Sequence, residues 1–199
     1  MMHELPDDFR WDADAVVIGA SAGGIDALLT LLEAVPAGYP LAIVALVHVP
    51  EARDSRLAEV FAPRLALPVR EAAAHAPVTP GTVFFAPNGY HLLVEPDRTF
   101  SLSCDPPVLF SRPSIDVLME SCADAYGPRL AGLVLTGASE DGARGLTRIR
   151  ARGGLAAVQA PQEALHRIMP MAAVTRANPQ LVLPLAQLAV LLQRLGARR

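Results

Sequence analysis

The chain has 199 residues, of which 52% are apolar and 19% charged, as expected for a single globular domain and not for a disordered or fibrous protein. Its net charge of −3 offers no basic surface of the kind that binds nucleic acid. All 17 basic residues are arginine, which excludes mechanisms that need a lysine, such as a Schiff base, a Walker-type phosphate loop or a Ser-Lys dyad.

The amino-terminal residues are polar and acidic, and they lack the basic start and apolar centre of a secretory signal. No apolar run reaches the ~20 residues needed to cross a bilayer. Cys104 and Cys122 are too few for a disulfide framework, and we expect both to be packed or partly buried thiols. A soluble cytoplasmic protein without membrane insertion is the expectation.

The first predicted unit is a strand over residues 13–20, a turn and a helix over about 24–34. The turn, residues 19–23, fits G-x-S-x-G, in which small neighbours allow a serine to be held exposed between strand and helix. Ser21 is therefore a candidate nucleophile, and the helix start behind it supplies N–H groups that stabilise an oxyanion. The same turn is one substitution from a dinucleotide-binding fingerprint, so a phosphate loop stays equally open here.

Residues 41–47 are seven consecutive apolar residues, as in a strand buried on both faces of a parallel sheet, and His48 follows directly. Ser55 can cap a helix that runs to about Leu65. Residues 69–72 are predicted to form an edge or third strand.

The sequence pattern changes between Pro77 and Pro113, where turn sequences separate short predicted strands. This pattern predicts antiparallel hairpin structure inserted into an alternating fold. The strands are predicted at 83–86, 91–95 and 99–103.

The rest of the chain returns to alternating helices and strands, with Ser114 as a predicted helix N-cap. Asp141 lies in the loop after a buried strand, and a segment rich in proline precedes the last helix. The predicted elements are a helix over 115–126, a strand over 130–136, a helix over 143–152, a strand over 155–159 and a helix over 184–195, ended at Gly196.

Strands that alternate with helices predict an α/β fold: a doubly wound, mainly parallel sheet with helices on both faces and an inserted antiparallel hairpin, a Rossmann-like three-layer arrangement. Ligand sites in such folds lie beyond the carboxyl ends of the strands. Ser21, His48 and Asp141 all stand at such ends. A histidine can take the proton of a serine, and a carboxylate can orient the histidine, so these residues are a candidate catalytic triad.

His48 also bears on the dinucleotide alternative. A dinucleotide-binding unit is expected to carry an acidic residue about 20 residues beyond the glycine motif, where it binds the ribose. This chain has His48 near that place, which disfavours the alternative.

Several motifs in one order then resemble the catalytic domain of bacterial chemotaxis protein-glutamate methylesterases of the CheB type. They span about residues 14–192 and are far more specific together than G-x-S-x-G alone. The motifs are residues 17–24, 48–50, 85–87 with His91, 111–118, 135–137, 140–143 with Gly145, and Met169-Pro170.

The resemblance implies hydrolysis of glutamyl methyl esters, often with deamidation of glutamines, on the cytoplasmic helices of chemoreceptors, and it implies no cofactor. Ser21 matches the family's nucleophile, His48 its base and Asp141 its third member. The partners implied are a methylated receptor and, in addition, a separate response regulator or chemotaxis kinase.

The family's loop before the acid is typically Gly-Met-Gly, and the methionine N–H is implicated in the oxyanion hole. This chain has Gly137-Ala138-Ser139 there, which keeps a backbone donor at Ala138 beside that of Ala22. A catalytically impaired binding or regulatory module of the same fold is therefore a second hypothesis, and a nucleotide-binding domain a third.

Three further residues are candidates for a substrate groove: Arg112, His166 and Met169. Arg112 can instead form an ion pair with Asp116, and we expect His91 to make a structural hydrogen bond. His3 and His75 are expected at the surface. No cluster has metal-ligand spacing, so no metal is expected.

The resemblance divides the chain into a flexible segment over 1–13, a methylesterase domain over 14–195 and a tail over 196–199. Full-length chemotaxis methylesterases also carry an amino-terminal receiver domain. The few residues before 14 cannot hold one, so we expect a standalone version or an excised domain.

Overall fold

A computed structural model describes residues 4–49 and 56–197. Its strands are β1 (Ala15–Ala20), β2 (Ala42–Val47), β3 (Val69–Glu71), β4 (Val83–Phe85), β5 (His91–Val94), β6 (Phe100–Ser103), β7 (Leu130–Val134), β8 (Leu155–Gln159) and β9 (Leu181–Leu183). Its helices are α1 (Gly24–Glu33), α2 (Leu57–Phe61), α3 (Ile115–Tyr126), α4 (Ala143–Ala151), α5 (Ile168–Ala177) and α6 (Leu185–Gly196), with one 3₁₀ turn at Gly127–Arg129.

Seven strands form one parallel sheet in the order β3-β4-β2-β1-β7-β8-β9, which confirms the doubly wound α/β fold. Every residue of β1 and β2 is buried, as their unbroken apolar sequences predict. Successive side chains of β1 enter opposite cores: Val16 and Ile18 face the layer of α1 and α6, while Ala15 and Val17 face the layer of α3, α4 and α5.

The order in which the chain adds strands to the sheet reverses next to β1. Outward from β1, strands β2, β4 and β3 lie on one side, and β7, β8 and β9, which come later in the chain, lie on the other side. Ala20 pairs with Val47 and Gly19 with Val134, so the carboxyl ends of β1, β2 and β7 lie side by side. The residues that follow these strands therefore meet at the switch point, where such folds bind ligands.

One part of the predicted topology was wrong, and another was incomplete. Residues 83–85 belong to the parallel sheet, between β2 and β3, so only β5 and β6 form the antiparallel hairpin. The segment rich in proline contains α5 and β9, which the sequence analysis left unassigned. Pro170 lies in the first turn of α5, where the missing N–H group costs nothing, so it does not break the helix.

The amino-terminal residues that the structure describes pack against the domain. Leu5 is buried and donates its N–H to Oε1 of Gln187, and Phe9 and Trp11 contact the core. Gly196 is the last residue of α6. The predicted domain boundaries stay a prediction.

Cys122 is buried, but Cys104, in the loop that follows β6, is exposed, contrary to expectation. His75 is exposed as predicted. His3, Pro50 and the predicted cap Ser55 lie outside the described residues. Within the described ranges, no helix has the length and apolar character needed to cross a membrane.

Candidate active site

Ser21 occupies the turn between β1 and α1. Its N–H donates to the carbonyl of Thr136 at 3.0 Å, and its own carbonyl accepts from Gly24 at 2.7 Å. Gly23 has a φ of 72°, which favours glycine. A Cβ on Gly24 would lie 2.7 Å from the Cβ of Ala20, so the close contact between helix and strand requires glycine.

His48 follows β2 directly, and the last paired residues of the two strands are Val47 and Ala20, the residue before Ser21. Its N–H donates to the carbonyl of Ala20 at 3.1 Å, which ties the two strand ends together. Its side chain is 13% exposed, and Nε2 lies 2.9 Å from Oδ2 of Asp141. Over the described residues, the Ser21 hydroxyl forms no hydrogen bond.

Asp141 is fully buried and receives four hydrogen bonds. Oδ1 accepts from the Ser114 hydroxyl and the Asp116 N–H, both at 2.9 Å. Oδ2 accepts from the Ile115 N–H at 2.7 Å and faces His48. Burial would raise the pKa of Asp141, but the hydrogen bonds from His48 and from the two N–H groups outweigh it, so the pKa lies below its ordinary value.

Asp116 binds the free N–H groups at the start of α4, as Asp141 does at the start of α3. Its Oδ1 accepts from the N–H groups of Gly142 at 2.9 Å and Gly145 at 2.7 Å, while Asp141 caps α3. Each helix start is thus bound by the carboxylate that precedes or begins the other helix. A negative charge at this place is favourable, because the amino end of a helix is the positive end of its dipole. Burial raises the pKa of Asp116, and the charge of Asp141 adds to the effect.

This exchange was not predicted from the sequence, which offered an ion pair with Arg112 as one alternative for Asp116. The structure instead places Arg144 Nε 3.7 Å from Oδ2 of Asp116. An available signal was that both acids lie within two residues of a predicted helix start, where a carboxylate caps free N–H groups.

His91 makes a structural hydrogen bond, as expected, but it lies nearer the site than its place on the hairpin suggested. Its Nδ1 accepts from the N–H of Ser114 at 3.1 Å, and its Nε2 contacts the carbonyl of Pro106 at the same distance. The buried ring therefore holds the loop that carries the N-cap Ser114, and Ser114 in turn contacts Asp141.

Two backbone donors lie next to the serine with no partner in the described parts of the chain: the N–H groups of Ala22 and Ala138. Gly137 allows the loop after β7 to lie close to the turn of Ser21, because a Cβ built on Gly137 would lie 2.9 Å from the Cβ of Ser21. A side chain at position 137 would therefore separate the two loops.

The three groove candidates have different surroundings. Met169 is fully buried beneath Gly137, so it supports the loop rather than lining an open groove. Arg112 donates to the carbonyls of Cys104 and Asp105, which holds its loop. His166 is exposed, and its backbone bonds to Gly137 and Thr136 place it on the serine side of the site.

A cavity of about 600 Å³ lies at the opposite edge of the sheet, near the amino ends of the strands. Its two arginines, Arg98 and Arg129, both pair with Asp14, which offsets part of their charge. Among the described residues, no cluster of His, Cys, Asp and Glu could hold a metal ion.

Replacement of Asp116 tests whether its hydrogen bonds or its charge matter. Asp116→Asn can keep both caps through one carbonyl oxygen, so we expect the free energy of unfolding to change by less than about 1 kcal/mol, whereas Asp116→Ala should lower it by about 2 kcal/mol. Urea unfolding of the two variants measures this. An equal loss in both would show that the charge itself is required.

Acid should remove the stabilisation that Asp141 provides. Because its folded pKa is depressed, its contribution is present above the unfolded value near 3.8 and is lost as the pH falls through the folded pKa. We expect the difference in unfolding free energy between wild type and Asp141→Asn to shrink between pH 5 and pH 2.5. A difference that stays constant over this range would contradict the assignment.

Comparisons with known proteins agree with this architecture. Residues 16–192 match the family model of the CheB methylesterase. A Leptospira interrogans protein, provisionally named protein-glutamate methylesterase/protein-glutamine glutaminase, is 41% identical over 182 residues, which cover 92% of this chain and 94% of that protein. The protein-glutamate methylesterase FrzG of Myxococcus xanthus is 37% identical over 179 residues, 90% of this chain and 54% of FrzG.

A solved structure also resembles the chain. The CheB methylesterase catalytic domain of Thermotoga maritima superimposes with a TM-score of 0.87 at 27% identity, and the alignment covers 92% of this chain and 99% of that domain. The family match extends over nearly the whole described chain, including the turn of Ser21 and the loop of Asp141. The chain therefore belongs to the CheB methylesterase family.

Proposed function

We propose that this chain is a protein-glutamate methylesterase that hydrolyses glutamyl methyl esters on the cytoplasmic helices of chemoreceptors and deamidates glutamines at equivalent positions. The observation that carries the proposal is the 2.9 Å contact between His48 and the buried Asp141 at the strand end beside Ser21. An acyl-transfer reaction needs such a base next to a nucleophile.

In the proposed mechanism, Asp141 holds the proton on Nε2 of His48, which leaves the lone pair of Nδ1 to accept the Ser21 proton. The Ser21 oxygen attacks the ester carbonyl. The negative oxygen of the tetrahedral intermediate receives hydrogen bonds from the N–H groups of Ala22 and Ala138, which have no partner in the described part of the protein.

The intermediate collapses when His48 returns its proton to the departing methoxide, and methanol leaves. The glutamyl group is now esterified to Ser21. Water, deprotonated by His48, attacks this ester; Ser21 regains its proton and the product is a free glutamate side chain. With glutamine, the same steps release ammonia in place of methanol.

The altered loop before Asp141 is compatible with this mechanism. The oxyanion donor is a backbone N–H, and Ala138 provides one as methionine would. The Ser139 hydroxyl accepts from the N–H of Asp141 at 3.1 Å, which stabilises the loop locally. No contact in the described residues favours the binding-module hypothesis.

The proposed function is tested with receptor membranes that carry radiolabelled methyl esters. We expect the purified protein to release labelled methanol, and receptors with alanine at the methyl-accepting glutamates to release none. Failure of the wild-type protein to release methanol would contradict the proposal. A thermal shift with nucleotide and none with receptor would instead favour a nucleotide-binding domain.

A further inference from the structure

The loop between β6 and α3 ends in a small hairpin whose two central residues are both large and apolar. Val108 and Ser111 exchange backbone hydrogen bonds of 3.1 and 2.9 Å across Leu109 and Phe110. The φ angles of these two residues are 47° and 64°. A two-residue turn with positive φ at both positions normally uses Asn-Gly, and large side chains are disfavoured in it.

Nothing in the described protein compensates for this conformation. The Phe110 side chain is fully exposed, and Leu109 is 48% exposed, so neither is buried in the core of the domain. Single exposed apolar residues are common on protein surfaces and need no explanation. An adjacent pair on a strained turn is different, since local strain is retained where function requires it.

The hairpin is held firmly at its base. Arg112 donates to the carbonyls of Cys104 and Asp105 at 3.1 and 3.3 Å, and His91 binds the carbonyl of Pro106. The tip is therefore presented in one orientation, and binding through it would require little ordering of the loop.

The hairpin is close in sequence to the residues that hold Asp141. Phe110 is four residues from Ser114, whose hydroxyl contacts Asp141, so its Cα lies within about 14 Å of that of Ser114. Leu165 is 74% exposed, and its side chain lies 2.8 Å from the position that a Cβ on Gly23 would take, next to the turn of Ser21. A second exposed apolar residue thus lies beside the candidate nucleophile.

We propose that Leu109 and Phe110 form a substrate-docking tip that contacts the apolar surface of the receptor helix next to the methylated glutamate. This inference rests on the proposed function. One turn of a helix rises 5.4 Å, so a helix with its ester at Ser21 brings side chains one or two turns away within reach of the tip. Such contacts select a folded helix over an unstructured peptide.

The test replaces both residues by the pair that the turn prefers, Leu109→Asn with Phe110→Gly. Two substrates are compared: a soluble helical receptor fragment with a glutamyl methyl ester, and a short unstructured peptide around the same ester. We expect the ratio of kcat/KM for the fragment to that for the peptide to fall about tenfold, through KM, with kcat on the fragment within twofold. We also expect Tm to rise by a few degrees.

Val190→Asn is the matched control, because Val190 is an exposed apolar residue on α6, which packs with α1. It should leave the substrate ratio unchanged. Phe110→Asn is a second variant that retains the chain length and the turn, and it should show a smaller fall in the ratio. An unchanged ratio in the double variant, or an equal loss on both substrates, would overturn the inference.

Binding is measured separately so that failure of the proposed function remains distinguishable. In a Ser21→Ala background, the double variant should bind the receptor fragment about tenfold more weakly than the parent. If wild type releases no methanol but this difference persists, the proposed function fails and the docking tip stands. If the parent binds no receptor fragment, or both proteins bind it equally, the docking tip is overturned.

Discussion

Ser21→Ala is expected to lower methanol release from methylated receptors by at least about 10⁴-fold, because the acyl intermediate cannot form without the hydroxyl. The free energy of unfolding should change by less than about 0.5 kcal/mol, since the hydroxyl makes no hydrogen bond in the described protein. Initial rates with labelled receptors and urea unfolding measure the two quantities.

Ser101→Ala provides a matched control for serine removal. Ser101 lies on β6 and donates to Glu95, away from the triad, so its variant should retain the wild-type rate. Methanol release by Ser21→Ala equal to that of wild type would exclude Ser21 as the nucleophile. A large loss of stability in Ser21→Ala would instead show that the side chain has a structural role.

Asp141→Asn is expected to lower both activity and stability. The amide places an NH₂ group where a carboxylate oxygen now accepts two hydrogen bonds, so donors would face donors in a buried site. We expect a loss of roughly 3 kcal/mol in the free energy of unfolding. Activity should fall about 10⁴-fold, because His48 loses the partner that sets its tautomer.

The comparison with Asp116→Asn separates the two acids. Asp116 uses only Oδ1 for its two caps, so an amide can replace it, whereas Asp141 uses both oxygens. Rates with labelled receptors and unfolding curves for both variants provide the measurement. If Asp141→Asn were as stable as wild type, the four hydrogen bonds would not be the reason for its low pKa.

Much of the fold could be predicted because its signals are local. The unbroken apolar sequence of β2 predicts a strand buried on both faces, and Ser114 marks the start of α3, where it caps the N–H of Val117. The same reasoning placed Ser21, His48 and Asp141 at one edge of the sheet, since the ends of parallel strands share an edge. The contact between His48 and Asp141 agrees with that prediction.

The predictions that failed depended on contacts between distant segments. An apolar sequence such as that of β4 does not reveal its neighbours, so its place between β2 and β3 could not be read from its turns. Met169 was expected in a groove but is buried beneath Gly137, because helix α5 packs under the loop. A residue pattern specifies a face of an element and not what covers that face.

The sequence by itself determined the alternation of strands and helices, the small-residue turn around Ser21 and the order of the three candidate catalytic residues. Only the tertiary structure decided how Asp141 is held. The N–H groups of Ile115 and Asp116, at the start of α3, donate to its carboxylate, and the Asp116 carboxylate accepts hydrogen bonds at the start of α4. The reason is physical. Periodicity and turn preferences act between near neighbours, but a buried carboxylate is stabilised by donors that lie about 25 residues away in the chain and meet it only when the two helix starts pack together.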